Sequence, residues 1–281
     1  VYASTEPIGS SPSLFQEHQL GYYSFLRGAM DGPPRDEFIY KRAESLIRNR
    51  NQSDPPLFMF LATGFPHPVY NAPQPWHDMY DPNKLPPLRP VRDDLSPDFH
   101  ALIRRYRDLE NLDDAFFRKI MAVYLGMISY VDHLVGRLLK ALDETGMIDD
   151  TAIFFFSDHG DWAGDYGLVE KWPSGLDDTL TRVPLIVRSP GKVENHVVKE
   201  PIELFDIVPT TLELAGTEAQ HTHFAKSQIP ALSGSGGSGP ANTKNQYCPF
   251  DLLKLVLDES GYSSMLKNKK DLENENRLEN L

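Results

Sequence analysis

Apolar runs in this chain come in two lengths, and length separates strands from helices. Residues 152–156 (AIFFF) form an unbroken apolar run, too short for a typical helix and rich in β-branched and aromatic side chains, which predicts a buried central strand. Residues 57–62 (LFMFLA) have the same character, and residues 182–187 (RVPLIV) read as a further buried strand. Longer stretches follow a helical period. Residues 36–50 set Ile39, Ala43, Leu46 and Ile47 at helical spacing, with Arg48 and Arg50 near the end where the helix dipole favours them, and Asp54-Pro55-Pro56 stops the helix. From Asp113 or Asp114, each a candidate N-cap, apolar positions from Phe117 to Leu142 predict a long helix to Glu144, closed by Gly146. Shorter helices are expected over residues 99–109 and 203–215, the latter with Asp206 and Pro209 in its first turn and Gly216 at its end. Residues 1–34 read as irregular chain and 80–97 as a long proline-rich surface loop. The alternation points to an α/β protein.

The polar residues that follow the short apolar runs are the candidates for chemistry. In an α/β sheet the carboxyl end of a central strand opens into the ligand crevice, which puts Asp158 and His159 of the Ser157-Asp158-His159-Gly160 cluster there. Gly160 lets the chain turn sharply. The run at 57–62 leads to Gly64-Phe65-Pro66-His67-Pro68, where flanking prolines restrict the loop that holds His67. Past Gly160 a loop carries Trp162, Gly164, Gly167, Lys171 and Trp172 over the strand end, and Lys171 is the cation it offers. Other candidates have plainer readings. Asp132 and His133 belong to a helix face, Asp165 and Glu170 are loop acids facing water, and Asp177-Asp178 is a polar loop. His77 is a loop or pocket-rim residue, and His221 and His223 lack a third ligand for zinc.

Composition narrows the partners. In 281 residues the apolar share is 40% and the charged share 24%, ordinary for a globular protein, but the formal net charge is -12. Such a balance argues against nucleic acid or an anionic membrane as partner, and an anionic substrate would need a local cationic site. No apolar stretch approaches the roughly 20 residues of a membrane span, and no signal peptide is recognisable. The one cysteine, Cys248, rules out an internal disulfide.

Taken together, SDHG after an apolar strand, Lys171-Trp172-Pro173, and the TRVPLIVRSPG segment ending at Gly191 resemble the sulfatase family of the alkaline-phosphatase superfamily. HPVYNAPQPW, beginning at His67, is similar to that family's H-x-P-Y context, with Val69 in place of proline. The long helix and the segment 203–215 resemble its scaffold. The resemblance implies an alkaline-phosphatase-like fold, a mixed, mostly parallel sheet flanked by helices with a small C-terminal portion. It implies metal ligands at Asp158 and His159, sulfate binding by Lys171, and a substrate-site role for His67, which could protonate or orient the departing alcohol. The family metal is most often calcium, and a sulfated small molecule or glycan would be the substrate. A lysosomal, secreted or periplasmic location would fit.

The family's early features are missing. It has two early aspartates on the same metal and a C-x-P-S-R or S-x-P-S-R motif whose first residue becomes formylglycine. Cys248 is followed by Pro249, Phe250 and Asp251, and Ser10-Ser11-Pro12-Ser13 ends in Leu14 instead of arginine, with no aspartate before Asp31. The expectation is therefore a partial sulfatase-type catalytic domain over residues 1–232, then a linker and divergent tail over 233–281, inactive by itself. Within the tail, SGSGGSG at 233–239 is flexible by composition, and 251–257 and 267–281 read as helical. A phosphodiesterase or phosphonate monoester hydrolase of the same superfamily, or a non-catalytic binding module, are the alternatives.

Overall fold

A computed structural model describes residues 26–233, apart from residues 52, 93, 95, 172–174, 192–196, 218 and 222. The Ser10–Leu14 stretch, Trp172, Cys248, the linker from residue 234 and both tail helices lie outside the described residues. Two compact units meet between Pro190 and Gly191.

In the first unit, helix α1 (Arg35–Arg48) buries Tyr40, Ala43 and Ile47 on one face. Asp36 in its first turn is also buried, and its carboxylate accepts from the backbone N–H of Gly64 (2.9 Å) and Phe65 (2.7 Å). That pair of bonds satisfies the buried charge and fixes the start of the His67 loop. Helix α2 (Asp98–Tyr106) follows. The long helix α3 (Asp114–Glu144) is capped by Asp113, whose side chain accepts from Phe116 N at 2.8 Å, and this decides between the two candidate caps. Gly146, at φ +70, follows its end as the glycine signal predicted. Tyr40 packs with Tyr130 and Leu134, and Ile47 with Ala141 and Leu142, so α1 lies along α3. Gly126 lets the backbone at Trp76 cross α3; a Cβ there would collide with the Trp76 carbonyl, whose carbon would be only 3.0 Å away.

Strand β1 (Ile153–Phe156) pairs with β2 (Leu185–Arg188), and the short helix α4 (Asp178–Thr181) lies between them in sequence. The register sets Ile153 opposite Arg188 and Phe156 opposite Leu185, antiparallel, in a two-stranded sheet. Helix and sheet are mixed as expected, but the strands paired among the described residues are not parallel. Residues 57–62 are extended without a sheet partner there, and Phe58 and Phe60 are 77% and 71% exposed, so the buried strand expected from the apolar run is not buried. Met59 and Leu61 are half-buried, and Met59, like Ile153, packs against the Ile47–Ala141–Leu142 cluster.

The second unit holds α5 (Ile207–Leu214) and α6 (Ile229–Leu232). Asp206 sits at the start of α5 as predicted, but its buried carboxylate ties down the return chain, accepting from Lys226 N and Gln228 Nε2, both at 2.8 Å. Among the described residues no group of three histidine, cysteine or acidic side chains is arranged to hold a metal.

Candidate active site

His67 and Lys171, far apart in sequence, meet: Lys171 Nζ lies 2.7 Å from His67 Nε2. His67 Nδ1 is 2.6 Å from the Pro68 carbonyl, an acceptor only, so Nδ1 carries the proton and Nε2 takes one from the ammonium. The pair is a neutral imidazole leaning on a cation. In this state His67 accepts, and Lys171 is the group with protons to offer. Protonating His67 would set two donors against each other and open the contact.

A buried knot holds the two loops together. Tyr70, three residues after His67, is fully buried, and its hydroxyl donates to Asp161 Oδ1 at 2.7 Å. The same carboxylate oxygen accepts from Ala163 N (2.7 Å) and Glu170 N (3.1 Å), while Glu170 N also reaches the Tyr70 hydroxyl at 2.9 Å. Since Glu170 precedes Lys171, this knot sets where the lysine starts. Burial pushes Asp161 above the usual carboxylate range, against the pull of the hydrogen bonds from Tyr70 and Ala163. Burial, with Asp161 beside it, also drives the Tyr70 phenol well upward.

The loop from Gly160 to Lys171 is tightly coiled, with positive φ at Ala163, Gly164, Tyr166, Gly167 and Glu170. Trp162 N donates to Glu170 O (3.0 Å) and Gly164 N to Leu168 O (2.8 Å). Trp162 is buried, and its Nε1–H donates to Asp177 Oδ2 at 3.0 Å, the oxygen that also takes the Nε2 of buried His100 at 3.0 Å. Three readings of loop acids are corrected here. Glu170 is buried and paired with Arg107, because its backbone is drawn into the knot. Asp165 accepts from Arg89 N at 2.8 Å. Asp177 is a tie between loop and α2, not a solvated acid.

Asp158 and His159 follow β1 directly. The Asp158 side chain is 84% exposed, and Oδ1 accepts from His159 N at 2.9 Å. His159 Nδ1 lies 2.8 Å from the Gly160 carbonyl, which leaves Nε2 as the lone-pair nitrogen, 3.7 Å from Asp158 Oδ2. Two such donors at that separation fit as part of the shell of a single cation, though not as a complete one. Neither residue forms a hydrogen bond or ion pair with His67 or Lys171. The link is through the chain, since Asp158 lies three residues before Asp161 of the knot.

Tyr70, Asp161 and His100 were not singled out by sequence reasoning. Tyr70 occupies the tyrosine place of the histidine-proline motif, which was the available signal; Asp161 and His100 had none beyond their residue type.

The structure thus brings His67 and Lys171 together from two loops and sets Asp158 and His159 at the end of β1. The sulfatase family model matches residues 9–217, and the chain belongs to the sulfatase family. It is 30% identical over 263 residues to the multifunctional alkaline phosphatase superfamily protein PehA of Trinickia caryophylli, covering 85% of this chain and 50% of that protein. A sulfatase of Formosa agariphila is 32% identical over 200 residues, covering 67% of this chain and 38% of the relative. Among solved structures, a phosphonate monoester hydrolase of Silicibacter pomeroyi superposes with a TM-score of 0.65 at 30% identity, over 75% of this chain and 44% of that one. The chain thus spans half or less of the length of these proteins.

Proposed function

We propose that this chain is the later part of a metal-dependent hydrolase of sulfate esters, acting on a sulfated small molecule or glycan. In this reading residues 1–232 belong to the catalytic domain and 233–281 form a linker and tail. The 2.7 Å contact between Lys171 and His67 carries the reading, because it gathers a cation and an imidazole in an acidic chain. Cleavage of a sulfate ester builds negative charge on the sulfuryl oxygens and on the leaving oxygen. Lys171 binds a sulfuryl oxygen; as its ammonium turns to the anion, His67 Nε2 is released to orient the leaving group or, once protonated, to protonate it. Asp158 and His159 would supply two ligands to a divalent cation, calcium by family, which would contribute Lewis acidity at the ester when bound. The attacking formylglycine has no counterpart in this sequence, so the chain alone binds without turnover.

The Silicibacter pomeroyi neighbour, by its name a phosphonate monoester hydrolase, favours a second reading in which the anion is a phosphonate or phosphate ester. One titration separates them. Inorganic sulfate is expected to move the NMR signals of the His67 ring, with affinity reduced at least about tenfold in Lys171→Ala, the order expected for losing a charged hydrogen bond. Phenylphosphonate binding tenfold tighter than sulfate would select the second reading. Sulfate binding indifferent to Lys171→Ala would remove both.

A further inference from the structure

From Asp161 to Asp177 the loop that carries Lys171 holds four carboxylates, and each is engaged by a group other than the lysine. Asp161 takes the Tyr70 hydroxyl, Asp165 the backbone N–H of Arg89, Glu170 the guanidinium of Arg107, and Asp177 the rings of His100 and Trp162. Much of this comes from one side of α2 and the residue that follows it. His100, Arg104 and Arg107 stand at i, i+4 and i+7, a spacing that a helix turns to one face. All three reach the loop: His100 at Asp177, Arg104 at the Tyr166 carbonyl (3.2 Å) and Arg107 at Glu170. Lys171 contacts His67 instead of an acid.

The Arg107–Glu170 pair is not what places the loop backbone. Glu170 N is held by Asp161 and Tyr70, and the Glu170 carbonyl accepts from Trp162 N, so the residue is fixed on both sides without its side chain. What the side-chain pair settles is charge. We infer that Arg107 is a positioning residue for the anion site: by engaging Glu170 it keeps that carboxylate from Lys171 and leaves the ammonium to the anion. Glu170 immediately precedes the lysine, and its side chain is only 10% exposed. Stripped of the guanidinium, a carboxylate so buried needs another cation, and Lys171 adjoins it. An ammonium drawn to Glu170 leaves His67, and a bare carboxylate beside the site repels an incoming anion as well. In a chain of net charge -12 one such acid is enough to cancel the charge of Lys171. This role for Arg107 rests on the reading of Lys171 as the anion's ligand.

The probe is inorganic sulfate, titrated into the full 281-residue chain while the His67 ring nitrogens are followed by NMR. Arg107→Gln is expected to weaken sulfate at least about tenfold, and adding Glu170→Gln to it should restore the affinity to within about threefold of the parent. Glu170→Gln alone should bind as the parent does, because the competing carboxylate is gone. A pair that served only to brace the loop would behave otherwise: Glu170→Gln would lose as much as Arg107→Gln and the double variant would not recover, which overturns the inference. Should Arg107→Gln fail to fold, Glu170→Gln decides by the same criterion. A second readout needs no sulfate. In the ligand-free chain the His67 ring signals should move in Arg107→Gln, as Lys171 leaves Nε2, and return in the double variant. If the parent binds no sulfate, or binds it indifferently to Lys171→Ala, the anion reading fails; if His67 is unmoved in a folded Arg107→Gln, the role of Arg107 fails, whatever the parent binds.

Discussion

Asp161→Ala should destabilise the first unit by about 3 kcal/mol, among the largest effects expected of one side chain outside the apolar core. The carboxylate oxygen it removes serves three donors at once. The buried Tyr70 hydroxyl and Ala163 N would lose their acceptor, and Glu170 N would keep only the Tyr70 oxygen. Unpaired buried donors cost about 1–3 kcal/mol each, partly offset because the variant no longer buries a carboxylate. Asp161→Asn retains a carbonyl acceptor and should cost about half as much. The two also differ in pH dependence. Burial holds the Asp161 carboxyl above its ordinary value, so the folded chain keeps the proton longer than the unfolded one. Its contribution to stability therefore falls as pH rises from the unfolded value through the raised folded one, and Asn abolishes that slope. Urea unfolding across that range measures both effects. An Ala variant within about 1 kcal/mol of the parent would mean that the knot does not hold the His67 and Lys171 loops.

Local pattern accounts for much of what the chain displays. The long helix, its cap at Asp113 and the closing Gly146 follow from apolar spacing and end chemistry over a few residues, as does α1; β1 forms where the apolar run predicts a strand, but among the described residues it is only partly buried and pairs with β2 alone, not the buried central strand expected. The meeting of His67 with Lys171 does not, because the two are 104 residues apart and no local rule links them. It was legible only through the family's motif spacing. The acids were misread for a related reason. Glu170 and Asp177 stand in polar stretches, where exposure is the default, and what buries them is a backbone turn and two distant partners, Arg107 and Trp162. Residues 57–62 show a different gap. Their pattern is that of a central strand, but burial needs neighbours on both edges and both faces, and a pattern cannot say whether those neighbours belong to the same sequence.

Gly160 was expected to serve a sharp turn, yet its backbone is not in the left-handed region, and what demands glycine is a close approach. Its N–H donates to Leu180 O at 2.7 Å, and a Cβ would press into the Thr179 carbonyl, with the carbonyl carbon 2.8 Å and the Leu180 Cα 3.1 Å away. All these atoms are backbone of the α4 turn, so no side chain can swing aside. Either the strand end or α4 must move, and Asp177 at the start of α4 would carry its bonds to Trp162 and His100 with it. Gly160→Ala should therefore cost about 3 kcal/mol or more, a hundredfold or greater loss in the folding equilibrium. Gly146→Ala is the matched control: φ is +70, but nothing lies within 4 Å of the added methyl, so only backbone strain of about 1 kcal/mol is expected. Denaturant midpoints of the two variants give the comparison directly, and near-ultraviolet dichroism reports whether Trp162 has left its buried site. If Gly160→Ala is no less stable than Gly146→Ala, the strand end after Asp158 and His159 is not held against α4, and the loop bearing Lys171 is positioned by the Asp161 knot alone.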